Sequence, residues 1–202
     1  MNYKIGSRGE MVRQIQKALH LYPDGIFGPL TEERVKQFQK EHGLTVDGIV
    51  GPATMSLLIP TRLKKSRRTI NEIIIHCTAT PEGRECTVTE IRRWHIQRGF
   101  TDIGYHYVIH LDGRVEEGRN VDIAGAHCTG HNANSIGVVY VGGCTKDGKT
   151  PKDTRTEAQK SALANLLIDL RKLYPRATIH GHRDFANKAC PSFDATQEYR
   201  RF

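Results

Sequence analysis

Residues 180–194, HGHRDFANKACPSFD, bring together side chains that can bind a metal and stabilise charge. His182 and Cys190 offer a neutral imidazole nitrogen and a thiolate, which are donors that zinc prefers. Lys188 lies two residues before the cysteine, where an ammonium group can lower a thiol pKa or face an anionic reaction centre. Two ligands do not make a site, and the best source of a third is His76, which ends the apolar run of IIIHCTAT. The sequence therefore predicts one metal held by His76, His182 and Cys190.

Strand geometry narrows the choice of neighbouring ligands without completing it. Side chains alternate between the two faces of a strand, so His76 and Cys77 should point in opposite directions and not share a metal. His180 and His182 are two residues apart and can share a face, so the pattern alone does not choose between them. A single histidine in a strand is more often a hydrogen-bonded core residue than a ligand.

The elements that would position these residues follow from hydrophobic periodicity and helix-start signals. Residues 70–77 form a nearly continuous apolar run, which is typical of a central buried strand. Two capping boxes, Thr87–Glu90 and Thr154–Glu157, each predict the start of a helix. The buried faces of those helices should carry Val88, Ile91 and Trp94 in the first, and Leu163, Leu166, Leu167, Leu170 and Leu173 in the second. Further strands are predicted over 104–111, 114–117, 135–141 and 177–180, the first two joined by an Asp112-Gly113 hairpin turn. A mixed sheet flanked by helices, an α/β fold, is expected.

Residues 1–58 contain an internal repeat. DGIFGPLT, beginning at Asp24, recurs as DGIVGPAT, beginning at Asp47, with six of eight positions identical. In each copy Asp-Gly should set a tight turn, Gly-Pro should redirect the chain, and the threonine should start or cap a helix. The apolar positions around the first copy (Met11, Ile15, Ala18, Leu19, Val35 and Phe38) have helical spacing, and Gly43 is placed as a helix stop. The prediction is a small all-α domain of three helices with two similar loops.

Charge and composition limit the class of protein. The formal net charge is +8, the hydrophobic content is 38%, and the charged content is 26%, all consistent with a folded protein that meets an anionic partner. Residues 59–69 contain five basic residues and no acid, and this segment is expected to be a linker in which Pro60 helps to end the preceding helix. The basic side chains are Arg62, Lys64, Lys65, Arg67 and Arg68.

The start of the chain has no apolar signal region, and no later run is long enough to span a membrane, so a cytoplasmic protein is expected. Five cysteines in such a protein argue against a disulfide framework. One cysteine as a metal ligand and four as reduced apolar residues is the simplest interpretation. The chain is expected to be a monomer.

The N-terminal segment resembles the peptidoglycan-binding domain found beside many cell-wall hydrolases. The resemblance covers Gly6, Gly9, Val12, Gln16, Leu19, Phe38-Gln39 and both DGxxG loops. It implies that residues 1–58 bind bacterial peptidoglycan. The alternative is a helical cap without a ligand.

Residues 70–202 resemble the zinc-dependent N-acetylmuramoyl-L-alanine amidases, a family that shares its fold with animal peptidoglycan-recognition proteins. The matching stretches are IIIHCTAT, IRRWHIQRGFTDIGYHYVIHLDGRVEEGR, GAHCTGHNANSIGVVYVGG and HRDFANKACPSFD. The resemblance implies that His76, His182 and Cys190 bind Zn²⁺ and that Tyr105 and Lys188 are catalytic. It also implies that His127 and Asn132 contact substrate, and it leaves His180 outside the ligand set.

The activity implied is hydrolysis of the amide that joins N-acetylmuramic acid to L-alanine. Three protein ligands leave the fourth zinc position for water, whose pKa falls to about 7. Lys188 would then stabilise the oxyanion, and Tyr105 would position water or pass a proton. With a wall-binding module, the chain most resembles a phage endolysin that acts after the membrane is opened.

Four alternatives compete with this interpretation. A non-catalytic peptidoglycan receptor is disfavoured because the metal set and Tyr105 are intact. A wall-recycling amidase is disfavoured because its substrates are soluble fragments. A glycosidase needs two opposed carboxylates, whereas Glu116 and Glu117 are adjacent and should face opposite sides of a strand. A nucleic-acid or polymerase-binding role is suggested by the basic linker alone, so no obligatory nucleic acid is expected.

Overall fold

The computed structural model describes residues 2–59 and 63–202. The chain divides between residues 62 and 63 into two compact units, which we call the N-terminal unit and the C-terminal unit. In the described ranges, no helix combines the length and the hydropathy needed to cross a bilayer. The roles predicted for Pro60 and for the charge of Arg62 concern residues outside these ranges.

The N-terminal unit is built from three helices, as predicted. They are α1 (Glu10–Ala18), α2 (Pro29–Glu41) and α3 (Pro52–Leu58). Helix α2 ends just before Gly43, whose φ of +66° is the left-handed conformation that glycine adopts most readily. The apolar side chains that the helices and loops bury together are Val12, Ile15, Leu19, Phe27, Val35, Val50 and Leu58.

Each repeat copy closes its loop around one buried glutamine. The Gln16 amide nitrogen donates to Asp24 Oδ1 (2.7 Å), to the Ile26 carbonyl (3.0 Å) and to Thr31 Oγ1 (3.2 Å), and its oxygen accepts from the Gly25 amide (2.8 Å). In the second copy Gln39 makes the same four bonds at 2.8, 3.0, 3.1 and 2.9 Å. The partners there are Asp47, Ile49, Thr54 and Gly48.

The threonines of the repeat lie at the starts of helices but do not cap them, so the capping part of that prediction was wrong. Helices α2 and α3 begin at the prolines, with Gly28 and Gly51 as N-cap residues. Thr31 and Thr54 lie within the first helical turn and are buried, where their hydroxyls accept from the two glutamines. A buried side-chain amide needs partners on both of its ends, and the threonine supplies one of them.

The C-terminal unit is organised on a mixed five-stranded sheet, which confirms the predicted α/β class. Its strands are β1 (Glu72–Cys77), β3 (Tyr107–Ile109), β4 (Val115–Glu117), β5 (Ser135–Tyr140) and β7 (Thr178–Gly181), and a separate two-stranded pair joins β2 (Thr80–Pro81) to β6 (Gly143–Cys144). The sheet order is β4-β3-β5-β1-β7, and only the β3–β4 hairpin is antiparallel. Strand β1 is therefore paired on both sides, as its unbroken apolar sequence predicts.

Helices cover both faces of this sheet. Helix α5 (Glu157–Leu173) packs on the face that carries Ile73, Ile75 and Cys77, and α4 (Val88–Gln97) packs on the opposite face. A short helix, α6 (Ala195–Glu198), follows near β7. Because side chains alternate along β1, His76 projects to the α4 face.

One capping box is confirmed and the other is displaced. Thr87 and Glu90 form the predicted box at the start of α4. Helix α5 is capped by Thr156 with Gln159, two residues later than predicted. The preceding residues are not helical, and among them Arg155 is buried and forms ion pairs with Asp153 and Glu198.

The basic segment from Leu63 onward belongs to the C-terminal unit. The Ser66 amide donates to the Tyr174 hydroxyl at 2.7 Å, and Lys64 forms an ion pair with Asp122 at 2.7 Å. The Arg68 guanidinium donates to the carbonyls of Val121, Asn132, Ala133 and Ser135. The linker boundaries at 59 and 69 stay a prediction, but Lys64, Ser66 and Arg68 make defined contacts with the C-terminal unit.

Candidate metal centre and active site

His76 lies near the carboxyl end of β1 and is almost fully buried, with 1% of its surface exposed. In open sheets with parallel strands, functional sites form beyond the carboxyl ends of the strands. Strand β7 runs parallel to β1 and continues directly into a short 3-10 helix, His182–Asp184. His76 and His182 therefore lie at the same end of the sheet, near the carboxyl ends of two adjacent strands.

The three predicted metal ligands come together. One ligand atom from each of His76, His182 and Cys190 lies within 4.8 Å of the others. The imidazole centroids of the two histidines are 4.6 Å apart, and His76 Nδ1 lies 3.8 Å from Cys190 Sγ. His180, which the strand pattern could not exclude, is outside this group and bonds through Nε2 to Thr178 Oγ1 at 2.8 Å.

The chemistry of this donor set fits zinc. Two nitrogens and one sulfur are the donors found in zinc sites that leave a fourth position open. Burial lowers the pKa of both histidines, and the charge of Lys188 adds to that effect, so both imidazoles are neutral and able to bind a metal near pH 7.

The sulfur ligand has an environment that a metal would complete. A hydrogen bond with the Cys77 thiol and burial raise the pKa of the Cys190 thiol, so the thiolate needs a compensating positive charge. The Cys77 backbone amide points at Cys190 Sγ at 3.3 Å and would support a coordinated thiolate. The Cys77 side chain lies on the α5 face, as strand alternation predicts.

Tyr105 and Lys188 flank the cluster. The Tyr105 ring lies 5.0 Å from the His76 ring, and burial raises the pKa of its hydroxyl, so the group stays protonated and able to donate near neutral pH. Lys188 lies in the exposed loop between His182 and Cys190. Its charge acts on both metal-site histidines, which is the expected effect of an ammonium group near the site.

His127 lies behind His76 rather than on an exposed surface. Its Nδ1 is 3.0 Å from His76 Nε2, its Nε2 is 3.2 Å from Ser135 Oγ, and the side chain is buried. Asn132 Oδ1 accepts from the amides of His127 (2.8 Å) and Cys128 (3.0 Å), so it shapes the loop that carries the histidine. Both ring nitrogens of His127 and the side-chain oxygen of Asn132 thus have partners within the protein, and substrate contact by these two residues stays a prediction.

The position of His127 depends on a glycine in the neighbouring strand. A Cβ atom at Gly137, in β5, would lie 2.4 Å from His127 Cδ2, which is impossible without displacing the ring. Sequence reasoning missed the pairing of His76 with His127 and Ser135, because the three residues are far apart in the chain. The available signal in the sequence was Gly137, because a glycine inside a strand indicates that another group packs closely against it.

Comparison with known proteins decides the family. The sequence model described as N-acetylmuramoyl-L-alanine amidase matches residues 66–193, and that of a putative peptidoglycan binding domain matches residues 8–58. The chain belongs to the N-acetylmuramoyl-L-alanine amidase family. The first match spans most of the C-terminal unit and includes every predicted ligand.

The relatives of this amidase include phage endolysins. It is 45% identical over 128 residues to the endolysin of Enterobacteria phage K11, a match that covers 63% of this chain and 84% of the relative. It is 44% identical over 130 residues to the endolysin of Escherichia phage T7, covering 64% and 85%. A solved structure, the endolysine N-acetylmuramoyl-L-alanine amidase LysCS from Clostridium intestinale, aligns with a TM-score of 0.56 at 28% identity, covering 65% of this chain and 80% of that one. The protein is a peptidoglycan hydrolase of the amidase class, which removes the glycosidase alternative.

Proposed function

We propose that this amidase is a zinc-dependent endolysin that cuts the bond between N-acetylmuramic acid and L-alanine in the bacterial wall. The observation that carries the zinc dependence is the group of two neutral imidazoles and one thiol whose ligand atoms lie within 4.8 Å of one another. The phage relatives and the second, wall-binding sequence match support the endolysin role over a wall-recycling role. Such a protein would accumulate in the cytoplasm of its host and act once the membrane is opened.

His76, His182 and Cys190 would hold the metal, which when bound supplies a Lewis acid and acidifies a water molecule. Tyr105 would hold a proton on its hydroxyl and hydrogen-bond to the attacking water, because burial raises the pKa of this group. Lys188 would place its ammonium beside the carbonyl oxygen of the scissile amide, where negative charge develops. Lys188 is exposed, so substrate can reach its ammonium group.

His127 is proposed to position His76. His76 Nδ1 faces Cys190 and must be free of a proton to bind a metal, so its proton sits on Nε2 and is donated to His127 Nδ1. His127 then carries its own proton on Nε2 and donates it to Ser135 Oγ. A ligand histidine whose far nitrogen is hydrogen-bonded in this way has a fixed tautomer and ring orientation.

Replacing Lys188 tests the oxyanion role. We expect Lys188→Ala to lower kcat by on the order of a hundredfold or more, because one charged group that stabilises the transition state is removed. Zinc content, measured by atomic absorption on the purified variant, should be unchanged. Lys160→Ala, a surface lysine on α5, is the control. A variant that lost zinc together with activity would contradict the assigned role.

Mass spectrometry of purified peptidoglycan after digestion tests the function as a whole. Free stem peptides with an L-alanine amino terminus, and glycan strands with intact lactyl carboxylates, are the expected products. Removing zinc should abolish them, and adding zinc should restore them. New reducing sugar ends would instead contradict the assigned bond, and full activity without zinc would contradict the metal assignment.

A further inference from the structure

The two repeat copies of the N-terminal unit have the same internal scaffold but different exposed surfaces. Adding 23 to each residue number of the first hydrogen-bond set gives the second set, so that Gln16 and Asp24 correspond to Gln39 and Asp47. Both aspartates also accept from the amide two residues later, at 2.8 Å in each copy. Any difference in function between the copies must therefore lie in side chains that the scaffold does not use.

At three positions the first copy exposes more apolar surface than the second. Tyr22 is 86% exposed, Leu30 is 68% exposed and Ile26 is 42% exposed. The residues at the corresponding positions of the second copy are Thr45, Ala53 and the half-buried Ile49. None of the first three side chains contributes to the hydrogen bonds of the scaffold, so folding does not explain their exposure.

The cation beside the first loop is also less closely paired with an acidic side chain than the cation beside the second loop. Arg13 donates to the Pro23 carbonyl at 2.8 Å in the first loop, and its distance to Glu10 is 3.8 Å. The corresponding Lys36 forms a close ion pair with Glu32 at 2.9 Å, and the first copy has Gly9 in place of that glutamate.

A second cation, Arg8, lies beside the first loop. Arg8 pairs with Ile26 in an isolated β-bridge and is exposed, whereas the corresponding Thr31 is buried in the scaffold. The first loop therefore has an aromatic ring, two aliphatic side chains and two arginines around it. We call Tyr22, Ile26, Leu30, Arg8 and Arg13 the first-loop surface.

We infer that the first-loop surface is the part of the N-terminal unit that contacts the wall polymer, and that the second copy serves as its scaffold. This inference rests on the proposed wall-binding role of the unit. The apolar faces of sugar rings pack on aromatic and aliphatic side chains, and the carboxylates of stem peptides pair with arginine. An exposed apolar cluster bordered by polar groups is typical of a binding surface.

The test is sedimentation of the full chain with purified peptidoglycan in a Lys188→Ala background, in which digestion of the wall should be at least about a hundredfold slower. In Tyr22→Thr/Leu30→Ala the first loop receives the side chains of the second. We expect its Kd for the wall to rise at least tenfold, and Tyr22→Phe to bind within about twofold of the parent. Val46→Ala/Leu57→Ala removes similarly exposed apolar groups elsewhere in the unit and is the matched control.

The outcomes separate this inference from the function on which it rests. If the parent protein does not sediment with the wall, the wall-binding role fails and the surface assignment fails with it. If the parent binds and Tyr22→Thr/Leu30→Ala binds equally well, the surface assignment alone is overturned. Equal losses in that variant and in the control would also overturn it. Hydrogen exchange at the Gly25 and Gly48 amides establishes that each variant keeps its scaffold.

Discussion

Both units bury polar side chains, but they do so for different ends. In the N-terminal unit, Gln16 and Gln39 satisfy the loop backbone around them and leave no donor directed at a ligand. In the C-terminal unit, the buried histidines bond to one another and leave His76 Nδ1 directed at Cys190. The comparison shows that a buried polar network can serve shape alone or can hold an atom ready for chemistry.

The largest effect on zinc content and activity is expected when Cys190, the proposed sulfur ligand, is replaced. This variant tests whether the buried network of the C-terminal unit serves chemistry. Cys190→Ala should lose zinc and reduce activity to background, because two protein ligands are too few to retain the metal. Cys144→Ala, a buried cysteine outside the metal group, is the control and should keep both. Zinc content and hydrolysis of peptidoglycan are the measurements. Retention of stoichiometric zinc by Cys190→Ala would refute the ligand assignment.

The second effect concerns the histidine behind His76. We expect His127→Leu to weaken zinc binding by about 10- to 100-fold, since the partner that fixes the ligand is lost. His127→Asn should recover much of this affinity, because its amide oxygen can take the place of Nδ1 as acceptor. Competition with a chromophoric chelator gives the affinities.

The tautomers give a readout that is independent of activity. Long-range ¹H–¹⁵N spectra of the zinc-free protein should show His76 protonated on Nε2. Protonation on Nδ1 would refute the positioning role, as would equal zinc affinities of the Leu and Asn variants.

A smaller effect, on stability, is expected from replacing the buried glutamines of the N-terminal unit. Gln16→Leu and Gln39→Leu should each destabilise that unit by on the order of 2 kcal/mol, because each leaves a buried glycine amide without its acceptor. Gln37→Leu, at an exposed position of α2, should change the free energy of unfolding by less than about 0.5 kcal/mol. Hydrogen exchange of the α1 and α2 amides measures the loss. Unequal losses would show that the two copies do not contribute equally.

The response to pH should also differ between the units. Burial lowers the pKa of His95 and His106 to about 4, whereas in an unfolded chain these groups titrate near 6.5. Between those values the unfolded chain binds more protons, so the C-terminal unit should lose stability as pH falls from about 6.5 to 4. The slope is at most about 1.4 kcal/mol per pH unit for each histidine.

The N-terminal unit should respond only at lower pH. Backbone hydrogen bonds hold the pKa of Asp24 and Asp47 below the ordinary 3.8, so their contribution is present above that value and is lost below it. Trp94, the single tryptophan, reports the C-terminal unit in urea titrations of zinc-free protein, and amide exchange reports the other. Equal midpoints for Trp94 at pH 6.5 and 4.5 would contradict the expected difference.

The sequence predicts well those features that depend on local pattern. The apolar run before His76, the repeat around Asp24 and Asp47, and the Thr87 capping box each appear as expected, because each depends on neighbours in the chain. Resemblance to a family supplied the choice of His182 over His180, which alternation along a strand could not make.

The sequence predicts less well the features that depend on distant partners. Helix α5 begins at Glu157 instead of near Thr154, and Arg155, just before it, forms an ion pair with Glu198, more than forty residues later. The threonines of the repeat accept from glutamines 15 residues earlier rather than capping their own helices. The role of His127 likewise depends on His76 and Gly137, which only the folded sheet brings beside it.

The contacts of Arg68 determine where the two units can be separated. A fragment that begins at residue 70 would leave the carbonyls of Val121, Asn132, Ala133 and Ser135 without their common donor, next to the loop that carries His127. A fragment that begins at residue 63 keeps that donor. Chimaeras that exchange wall-binding units between lytic enzymes should therefore be joined ahead of Leu63, so that the basic segment travels with the enzyme it supports.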